Sequence, residues 1–380
     1  MSELERLIQE RCPNGVPFKK ASEVANVSIG EFVHKNKQNP NGKFPVFNGG
    51  TSNTGFYDEY NRTANKIIIS ARGANAGFVN RVFTNYWSGN SCYTIDVVDE
   101  NLDWTFVYYW FKQNEQVLLG EQQKGGIPAV SKKQVENFLV PIPPIEVQSE
   151  IVRILDNFTE LTAELTAELT ARKKQYDYYT EHLMNFGDNV KMLTLGEIGS
   201  VKMCKRILKE QTNKTGGIPF YKIGTFGKTP DAYITEELFE EFRAKYSYPK
   251  KGDILISCSG TIGRTVVFDG EPAYFQDSNI VWLEHDGTIV TNKYLLYCYK
   301  KQPWQISTGG TIARLYNDNI LKAKIPVPPI EEQERIVEIL ERFDALCNDI
   351  SAGLPAEIEA RQNQYEYYRD KLLTFKEASE

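Results

Sequence analysis

The sequence has few of the residues that build metal and nucleophilic sites. Its 380 residues contain three histidines and six cysteines, and no two cysteines form a CxxC pair. His34, His182 and His285 are far apart and fit neither an HExxH nor an HxH spacing, so ligands for a catalytic zinc ion are lacking. The single cysteines exclude a cysteine zinc site and favour reduced thiols in a cytoplasm.

Long apolar runs and nucleotide-binding loops are also missing. No apolar run approaches the roughly 18 residues that a membrane span needs, and the first residues, MSELERLIQERCPNG, are charged rather than signal-like. There is no GxxxxGK[ST], GxSxG or GxGxxG motif. The turn around Ser70, Arg72 and Gly73 has the residue types of a phosphate cradle, although such residues more often form a tight turn at a strand end. We expect a soluble, cytoplasmic protein without catalysis of its own and without membrane contact.

The net charge of −6 hides a segregation of charge along the chain. Residues 13–140 hold 13 Lys/Arg against 11 Asp/Glu, and residues 187–325 hold 19 against 15. Residues 141–186 hold 4 Lys/Arg against 8 Asp/Glu, and residues 326–380 hold 6 against 13. Two mildly basic blocks therefore alternate with two acidic ones, and a basic block favours contact with nucleic acid.

The acidic blocks repeat each other. PIPPIEVQSEIVRILDNF at residues 141–158 returns as IPVPPIEEQERIVEILERF at residues 325–343, and RKKQYDYYTEHLMNF at 172–186 returns as RQNQYEYYRDKLLTF at 361–375. The basic blocks echo each other more faintly, for example in KIIISARGANAG and GDILISCSGTIG. The chain is a tandem pseudo-duplication.

Each repeated segment predicts a long amphipathic helix that begins after two prolines. The first has apolar residues in steps of three and four, and its centre, LTAELTAELTA, places Leu161, Leu165 and Leu169 on one predicted stripe. In the second, Gly353 and Pro355 predict a kink or a short break. We expect the two helices to pair as an antiparallel coiled coil around a pseudo-twofold axis. The alternative is two unrelated helices, each covering its own domain.

The fold class predicted is α+β, with two mixed α/β blocks separated by two long helices. Short buried strands such as KIIIS and DILIS precede glycine turns, NYWSGNSCYTIDVV and EPAYFQDSNIVWL read as further strands, and FVYYWFKQNEQVLL and NKYLLYCYKKQPW read as helices. The boundaries are 1–140 for the first block (with a helical segment at 1–12), 141–186 for the first long helix, 187–325 for the second block and 326–380 for the second long helix.

The repeated motifs closely resemble those of the specificity subunit of type I restriction–modification systems. The resemblance rests on a PxPPxxEQ-type start and an RxxQYxYYRxxLLxF-type end of each helix, and on the TAEL repeat. The segment NGGTSNTGFYDEYN, followed by IIISARGANAGFV, is similar to one common class of target recognition domain. One departure is Val147, which breaks the usual EQ pair while Gln148 is retained.

The resemblance implies a non-catalytic subunit that reads a bipartite double-stranded DNA site, one half with each recognition domain. It implies docking of two methyltransferase subunits on the helices and of restriction (motor and nuclease) subunits through them. S-adenosylmethionine, ATP and magnesium would belong to those partners, and this chain would hold no cofactor and no metal. Divergence of the two blocks further predicts an asymmetric site, because identical blocks would read identical halves.

Donor side chains on the glycine-rich loops are the DNA-binding candidates, since Arg and Asn can contact bases in a bidentate way and Lys mostly anchors phosphate. A solvated surface charge is the alternative for each. Those of the first block are Lys43, Arg62, Lys66, Arg72, Asn75, Arg81, Gln122, Gln123 and Lys124. Those of the second block are Lys205, Arg206, Lys222, Lys228, Ser259, Thr261, Arg264 and Arg314. Candidates for contacts within the helix pair or with the methyltransferase are Phe158, Leu161, Leu165, Leu169, Tyr176, Tyr179, Phe343, Leu346, Tyr365 and Tyr368.

Two other functions fit part of the sequence. A scaffold or antirestriction mimic would bind the methyltransferase without reading DNA, and the acidic helices permit this, but a mimic should be acidic where the two blocks are basic. The recognition half of a single-chain restriction enzyme would need methyltransferase and nuclease motifs, which the chain lacks.

Overall fold

A computed structural model describes residues 3–119, 128–306, 313–349 and 351–378. The chain forms two compact units, of which the first combines Met1–Ala167 with Ala356–Glu380 and the second is Glu168–Pro355. Each unit contains one of the two blocks and a part of both helical segments, so it combines residues that are distant in the sequence. The mixed α/β tandem repeat with long helices is confirmed.

The first block begins with short helices and a strand, continues with a run of seven strands, and ends with three short helices and one strand before the first long helix. Its helices are α1 (Glu3–Arg11), α2 (Ala21–Val24), α3 (Trp104–Gln113), α4 (Glu115–Leu119), α5 (Lys132–Asn137) and the long α6 (Ile145–Leu183). Its strands are β1 (Phe18–Lys20), β2 (Ala25–Ile29), β3 (Phe44–Phe47), β4 (Gly55–Tyr57), β5 (Lys66–Ser70), β6 (Val79–Val82), β7 (Trp87–Ser88), β8 (Cys92–Val97) and β9 (Leu139–Pro141).

The second block repeats the order of the strands, has an additional helix at Glu236–Lys245, and ends in two further helices. Its helices are α7 (Leu195–Ile198), α8 (Glu236–Lys245), α9 (Asn292–Lys300), α10 (Asn317–Lys322), α11 (Ile330–Asn348) and α12 (Leu354–Leu372). Its strands are β10 (Met192–Thr194), β11 (Ser200–Lys202), β12 (Ile218–Tyr221), β13 (Tyr233–Ile234), β14 (Ile254–Ser257), β15 (Thr265–Val267), β16 (Tyr274–Phe275), β17 (Ile280–Glu284) and β18 (Lys324–Pro326).

The sheets of the two blocks have the same topology. The first block has a four-stranded antiparallel sheet in the order β2-β8-β5-β6, a three-stranded sheet β4-β3-β7 and the pair β1-β9. The second has β11-β17-β14-β15, β13-β12-β16 and β10-β18. In both, the contact of β3 with β7 and of β12 with β16 is parallel. The faint echo between the blocks therefore reflects one repeated architecture.

The central strands are apolar throughout because both faces of the sheet are covered. Ile67 and Ile69 of β5 point into the large core of the first unit, whereas Ile68 packs in a smaller cluster on the other face. In β14, Ile256 and Leu255 are divided between two cores in the same way. A strand buried on both faces loses the alternating pattern of a half-exposed one, which accounts for the runs KIIIS and DILIS.

One buried glutamine joins each block to the start of a long helix. Gln148 is fully buried; its Oε1 accepts the backbone N–H of Asp103 (2.8 Å) and its Nε2 donates to the carbonyls of Asn101 and Pro143 (2.7 Å each). The sequence motif PPIExQ thus supplies one side chain that satisfies three backbone groups, which otherwise would be buried at a cost. We call this arrangement the glutamine clamp.

The second unit contains the same glutamine clamp. The buried Gln333 accepts from the backbone N–H of Thr291 (3.0 Å) and donates to the carbonyls of Ile289 (3.0 Å) and Pro328 (2.9 Å). Asp103 and Thr291 are also the N-caps of α3 and α9, so each clamp ties the start of one helix to the start of another.

The long helix α6 extends about 60 Å. Its half-buried stripe follows steps of three and four residues through Phe158, Thr162, Leu165, Leu169, Arg172 and Tyr176. Leu161 lies off this stripe and is 36% exposed, contrary to the prediction of one leucine stripe. A four-residue repeat turns by about 40° per unit around a helix with 3.6 residues per turn, so the three TAEL leucines spread over about 80° and Leu161 falls at the edge of the face that Leu165 and Leu169 share. No described helix is both long and apolar enough to cross a membrane.

The predicted break in the second helical segment is present between α11 and α12. Gly353 lies where an added Cβ would come within 2.6 Å of the carbonyl oxygen of Ala345, so only glycine fits this close approach. Asp349 accepts hydrogen bonds from Ser351 and Ala352, and Pro355 is the second residue of α12, where its missing N–H is tolerated. The two motifs of the second repeat are separated by four more residues than those of the first (343 to 361 against 158 to 172), and the break lies within this stretch.

Equivalent aromatic pairs join the helices within each unit. In the first unit Phe158 of α6 stacks on Tyr368 of α12, with ring centroids 5.4 Å apart. In the second, Phe343 of α11 stacks on Tyr179 of α6 at 5.3 Å. Each pair takes one residue from the start of one repeat and one from the end of the other, as an antiparallel arrangement requires. A continuous coiled coil through both units remains a prediction.

The last described residues complete the core of the first unit. Leu373 is 1% exposed, and the ring of Phe375 lies 6.0 Å from that of Phe106 and 6.4 Å from that of Trp110. The backbone N–H of Val16 donates to the carbonyl of Lys376 (2.8 Å). The first recognition block is therefore closed by residues from the far end of the sequence.

Candidate nucleic-acid interface

Three loops meet at one end of the first block. They follow β3 (residues 48–54), β5 (residues 71–78) and β7 (residues 89–91). The side-chain oxygen of Asn48 accepts from the backbone N–H of Ser91 (3.1 Å), and the hydroxyl of Ser70 donates to the carbonyl of Gly50 (3.0 Å). We call this surface the first loop end.

The corresponding loops meet in the second block. They follow β12 (residues 222–232), β14 (residues 258–264) and β16 (residues 276–279). The hydroxyl of Ser259 donates to the side-chain oxygen of Asn279 (2.8 Å), and the backbone N–H of Ile223 donates to Gln276 (2.9 Å). This surface is the second loop end. It has the same construction as the first but different side chains.

A cleft of about 920 Å³ borders the second loop end, between residues 206–214 and residues 276–279. Its lining contains four cations, of which Arg206 pairs with Asp277 (2.9 Å) and Lys222 with Asp231 (2.8 Å). Lys209 and Lys214 form no ion pair within the described part of the chain. The cleft thus has two cations available to a polyanion, next to paired cations and amide groups that can hydrogen-bond to bases.

Several of the sequence-predicted DNA-binding residues lie exposed at or near these surfaces. Arg72 and Asn75 are exposed on the first loop end, and Thr261 and Lys228 are exposed on the second. The residues Lys43 and Lys205 are exposed on neighbouring loops, where their ammonium groups lie over Phe44 (5.4 Å) and Tyr246 (5.3 Å) respectively.

Other predicted residues hold the fold itself. Arg62 donates to the carbonyls of Asn61 (2.7 Å) and Ile29 (3.0 Å), and Lys66 pairs with Asp96 (2.8 Å). In the second block Arg264 donates to the carbonyl of Phe226 (3.0 Å) and Arg314 to that of Ser278 (2.7 Å). Lys66 joins the neighbouring strands β5 and β8, whereas Arg62, Arg264 and Arg314 hold loop backbone, the last two at the second loop end.

Arg81 points towards α6 rather than towards a loop end. Its guanidinium pairs with Asp156 of α6 (2.8 Å), and its side chain is 14% exposed. Gln122, Gln123 and Lys124 lie outside the described residues.

The structure also brings forward cations that the sequence motifs did not single out. Lys209 and Lys214 lie between β11 and β12, and Lys35 and Lys37 lie exposed in the equivalent loop between β2 and β3. Both loops contain a short 3₁₀ turn, at Lys35–Lys37 and Lys209–Gln211. The sequence feature that could have predicted these lysines as candidates for DNA contact is the high density of cations in the two loops.

The predicted helix residues fall into two groups. Phe158, Tyr368, Phe343 and Tyr179 form the stacks between helices, and Tyr176 lies 6.4 Å from Phe343. The other predicted residues are half-buried or exposed: Leu165, Leu169 and Tyr365 are half-buried, and Leu161 and Leu346 are each 36% exposed. Tyr178 and Tyr367, not singled out before, occupy equivalent positions and are 55% and 63% exposed.

The described residues contain no arrangement suited to catalysis by a thiol or a metal. No group of three or more His, Cys, Asp or Glu side chains among them is placed to hold a metal ion. All six cysteines are buried, and burial raises the pKa of the Cys92, Cys204 and Cys298 thiols to about 12. These thiols stay protonated at neutral pH and act as small apolar packing groups.

Comparisons with known proteins agree with this division into two similar halves. The family described as type I restriction modification DNA specificity domain matches residues 13–172 and 187–360. A putative type I restriction enzyme specificity subunit of Haemophilus influenzae is 46% identical over 387 residues, covering 98% of each chain. The specificity subunit of an Escherichia coli type I restriction enzyme is 37% identical over 290 residues, covering 71% of this chain and 70% of that one.

A solved structure shares the fold. The crystal structure of a type I restriction–modification S subunit from M. genitalium has a TM-score of 0.63 at 20% identity, covering 94% of this chain and 96% of that chain. Together with the two matched domains, these similarities show that the chain belongs to the family of type I restriction–modification DNA specificity subunits.

Proposed function

We propose that this chain reads a bipartite, asymmetric double-stranded DNA site, one half with each loop end. The observation that carries the proposal is that two equivalent surfaces are built on one repeated topology from different side chains. Arg72 and Asn75 lie on the first loop end, where the second presents Ser259 and Thr261. Different donors and acceptors read different base edges, so the two half-sites differ.

The partners follow from the same duplication. Tyr178 and Tyr367 are large exposed side chains at equivalent positions of the two repeats, and exposed aromatic residues are frequent anchors of protein interfaces. Two equivalent surfaces suit two copies of one partner, and we propose that this partner is the methyltransferase subunit. Restriction subunits would join through it. S-adenosylmethionine, ATP and magnesium would be held by these partners.

Methylation mapping tests the proposal. The chain is co-expressed with its cognate methyltransferase in a methylation-free host, and N6-methyladenine is located by single-molecule sequencing. We expect one asymmetric motif of two half-sites with a fixed spacer. An intact complex that methylates nothing would instead favour the scaffold or mimic function.

The cleft next to the second loop end makes a separate prediction. Replacing Lys209 and Lys214 together with glutamine is expected to weaken DNA binding about tenfold or more at physiological salt, on all sequences alike. The slope of log K against log salt is negative, and each lost phosphate contact makes it less steep by about 0.9. The double variant should therefore have a slope that is smaller in magnitude by about 2. DNA titrations of the methyltransferase complex at several salt concentrations measure both quantities.

The matched control replaces Lys250 and Lys322, which are exposed outside this cleft. It removes the same net charge and should leave the slope nearly unchanged. An equal loss of slope in the two double variants would show that only the overall charge of the chain matters.

A further inference from the structure

The first block is tied to α6 by a partly buried ionic contact. Arg81 is on β6, and its Nη1 lies 2.8 Å from Oδ1 of Asp156 on α6. The hydroxyl of Tyr109 on α3 donates to the same oxygen (2.6 Å) and lies 3.4 Å from the hydroxyl of Thr159. One carboxylate thus holds a strand and a helix of the block against the fourth turn of α6.

Aromatic rings enclose the cation of this contact. The guanidinium carbon of Arg81 lies 5.1 Å from the ring centroid of Phe83, 4.9 Å from that of Tyr108 and 5.2 Å from that of Tyr109. Burial raises the pKa of Tyr109, and its hydrogen bond to Asp156 acts in the same direction. The tyrosine therefore stays protonated and keeps donating. Such a charge-assisted hydrogen bond is directional, so it adds a geometric requirement to that of the surrounding packing.

The second unit has no arginine–aspartate contact at this position among its described residues, and a lysine makes a longer and more exposed contact instead. Lys300 of α9 lies 3.7 Å from Asp344 of α11, with side chains 39% and 43% exposed, and donates to the hydroxyl of Tyr176 (3.3 Å). Strand pairing places Arg81 opposite Ile67 and Val267 opposite Ile254, so a valine takes the place of the arginine. Glu341 corresponds to Asp156, and it pairs with Lys293 (2.8 Å) with side chains 47% and 68% exposed. An ion pair this exposed contributes little to rigidity.

We propose that Arg81, Asp156 and Tyr109 are positioning residues that fix the first recognition block on α6 and thereby set how strictly the spacer between half-sites is measured. The inference rests on the proposed function. One base pair of spacer corresponds to about 3.4 Å and about 35° of rotation. If the block can move on its helix by part of this shift and rotation, the protein accepts neighbouring spacers. The contacts of the block with its own bases remain unchanged.

The experiment measures methylation by the complex on DNA with the mapped half-sites and spacers one base pair shorter, correct and one longer. Asp156→Ala and Arg81→Met are expected to lower the rate ratio of the correct to the neighbouring spacers by about tenfold, with unchanged base preference. Arg81→Lys, which keeps the charge, should lie between these variants and the wild type. If Asp156→Ala does not fold, Asp156→Asn supplies the comparison, because it retains an acceptor for Tyr109.

Glu341→Gln is the control, since it removes the exposed pair of the second unit and should leave the spacer ratio unchanged. A uniform loss of rate on all three spacers would overturn the inference, because it shows a role in stability alone. Altered bases in the first half-site would also overturn it and would assign Arg81 to DNA contact. A wild-type complex without a fixed-spacer motif would refute the proposed function itself.

Discussion

Replacing Gln148 with leucine is expected to destabilise the first unit by about 3–5 kcal/mol. The substitution keeps the volume but leaves the N–H of Asp103 and the carbonyls of Asn101 and Pro143 without their partner. Each buried group that loses its hydrogen bond costs about 1–3 kcal/mol. Hydrogen exchange measured by mass spectrometry should show faster exchange at Asp103 and unchanged exchange at Thr291, where the other clamp is intact.

Two variants complete this experiment. Gln333→Leu should give the reverse result, with faster exchange at Thr291 and not at Asp103. Gln175→Leu, at an exposed position of α6, should change stability by no more than about 0.5 kcal/mol. A loss of less than about 1 kcal/mol in the free energy of unfolding for Gln148→Leu would contradict this prediction. It would mean that water replaces the amide and that the glutamine clamp does not hold the block to the start of α6.

Deleting one TAEL unit, residues 166–169, is expected to abolish methylation of the original site and to create activity on a spacer about one base pair shorter. The deletion shortens α6 by about 6 Å and turns it by about 40°, against about 3.4 Å and 35° for one base pair. The rotations agree closely, and tilt takes up the residual length. A displaced half-site mismatches at least two base pairs at a cost of about 1–3 kcal/mol each, so the original site should lose on the order of 100-fold or more in rate.

The control for this deletion is Thr166→Ala, which changes the same repeat without changing its length. It should methylate the original spacer at the wild-type rate. Sequencing of methylated adenines in cells that carry each variant compares the two directly. Unchanged methylation of the original spacer by the deletion variant would contradict the hypothesis that the length of α6 sets the spacing of the two half-sites.

Local patterns in the sequence predicted much of the fold. The proline pairs, the steps of three and four, and the apolar strand runs depend on neighbours in the chain, so α6, α9, β5 and β14 were predictable. Gly353 and Pro355 marked the helix break for the same reason. The prediction for Leu161 was wrong because a four-residue repeat does not match the 3.6-residue period of a helix. The half-buried positions of the whole helix α6 are needed to see this.

The candidate site was less predictable because its contacts join distant segments. Arg81 and Arg62 have the residue type of a DNA contact, but their partners Asp156 and Ile29 are 75 and 33 residues away. Lys209 and Lys214 are candidates for DNA contact because they line a cleft opposite residues 276–279, and this cleft is formed by segments that are distant in the sequence. The residue type indicates which side chains could contact DNA. Their tertiary contacts show which of them are free to do so.

The closing of the first unit by residues 373–376 has a consequence for synthesis on the ribosome. Residues up to 141 are made early, yet Leu373 and Phe375, which fill the core around Phe106, follow more than 200 residues later. At roughly 5–20 residues per second, this core waits about 10–50 s for its last side chains. The second unit, a continuous stretch of chain, faces no such delay. The half that leaves the ribosome first is thus the last to mature.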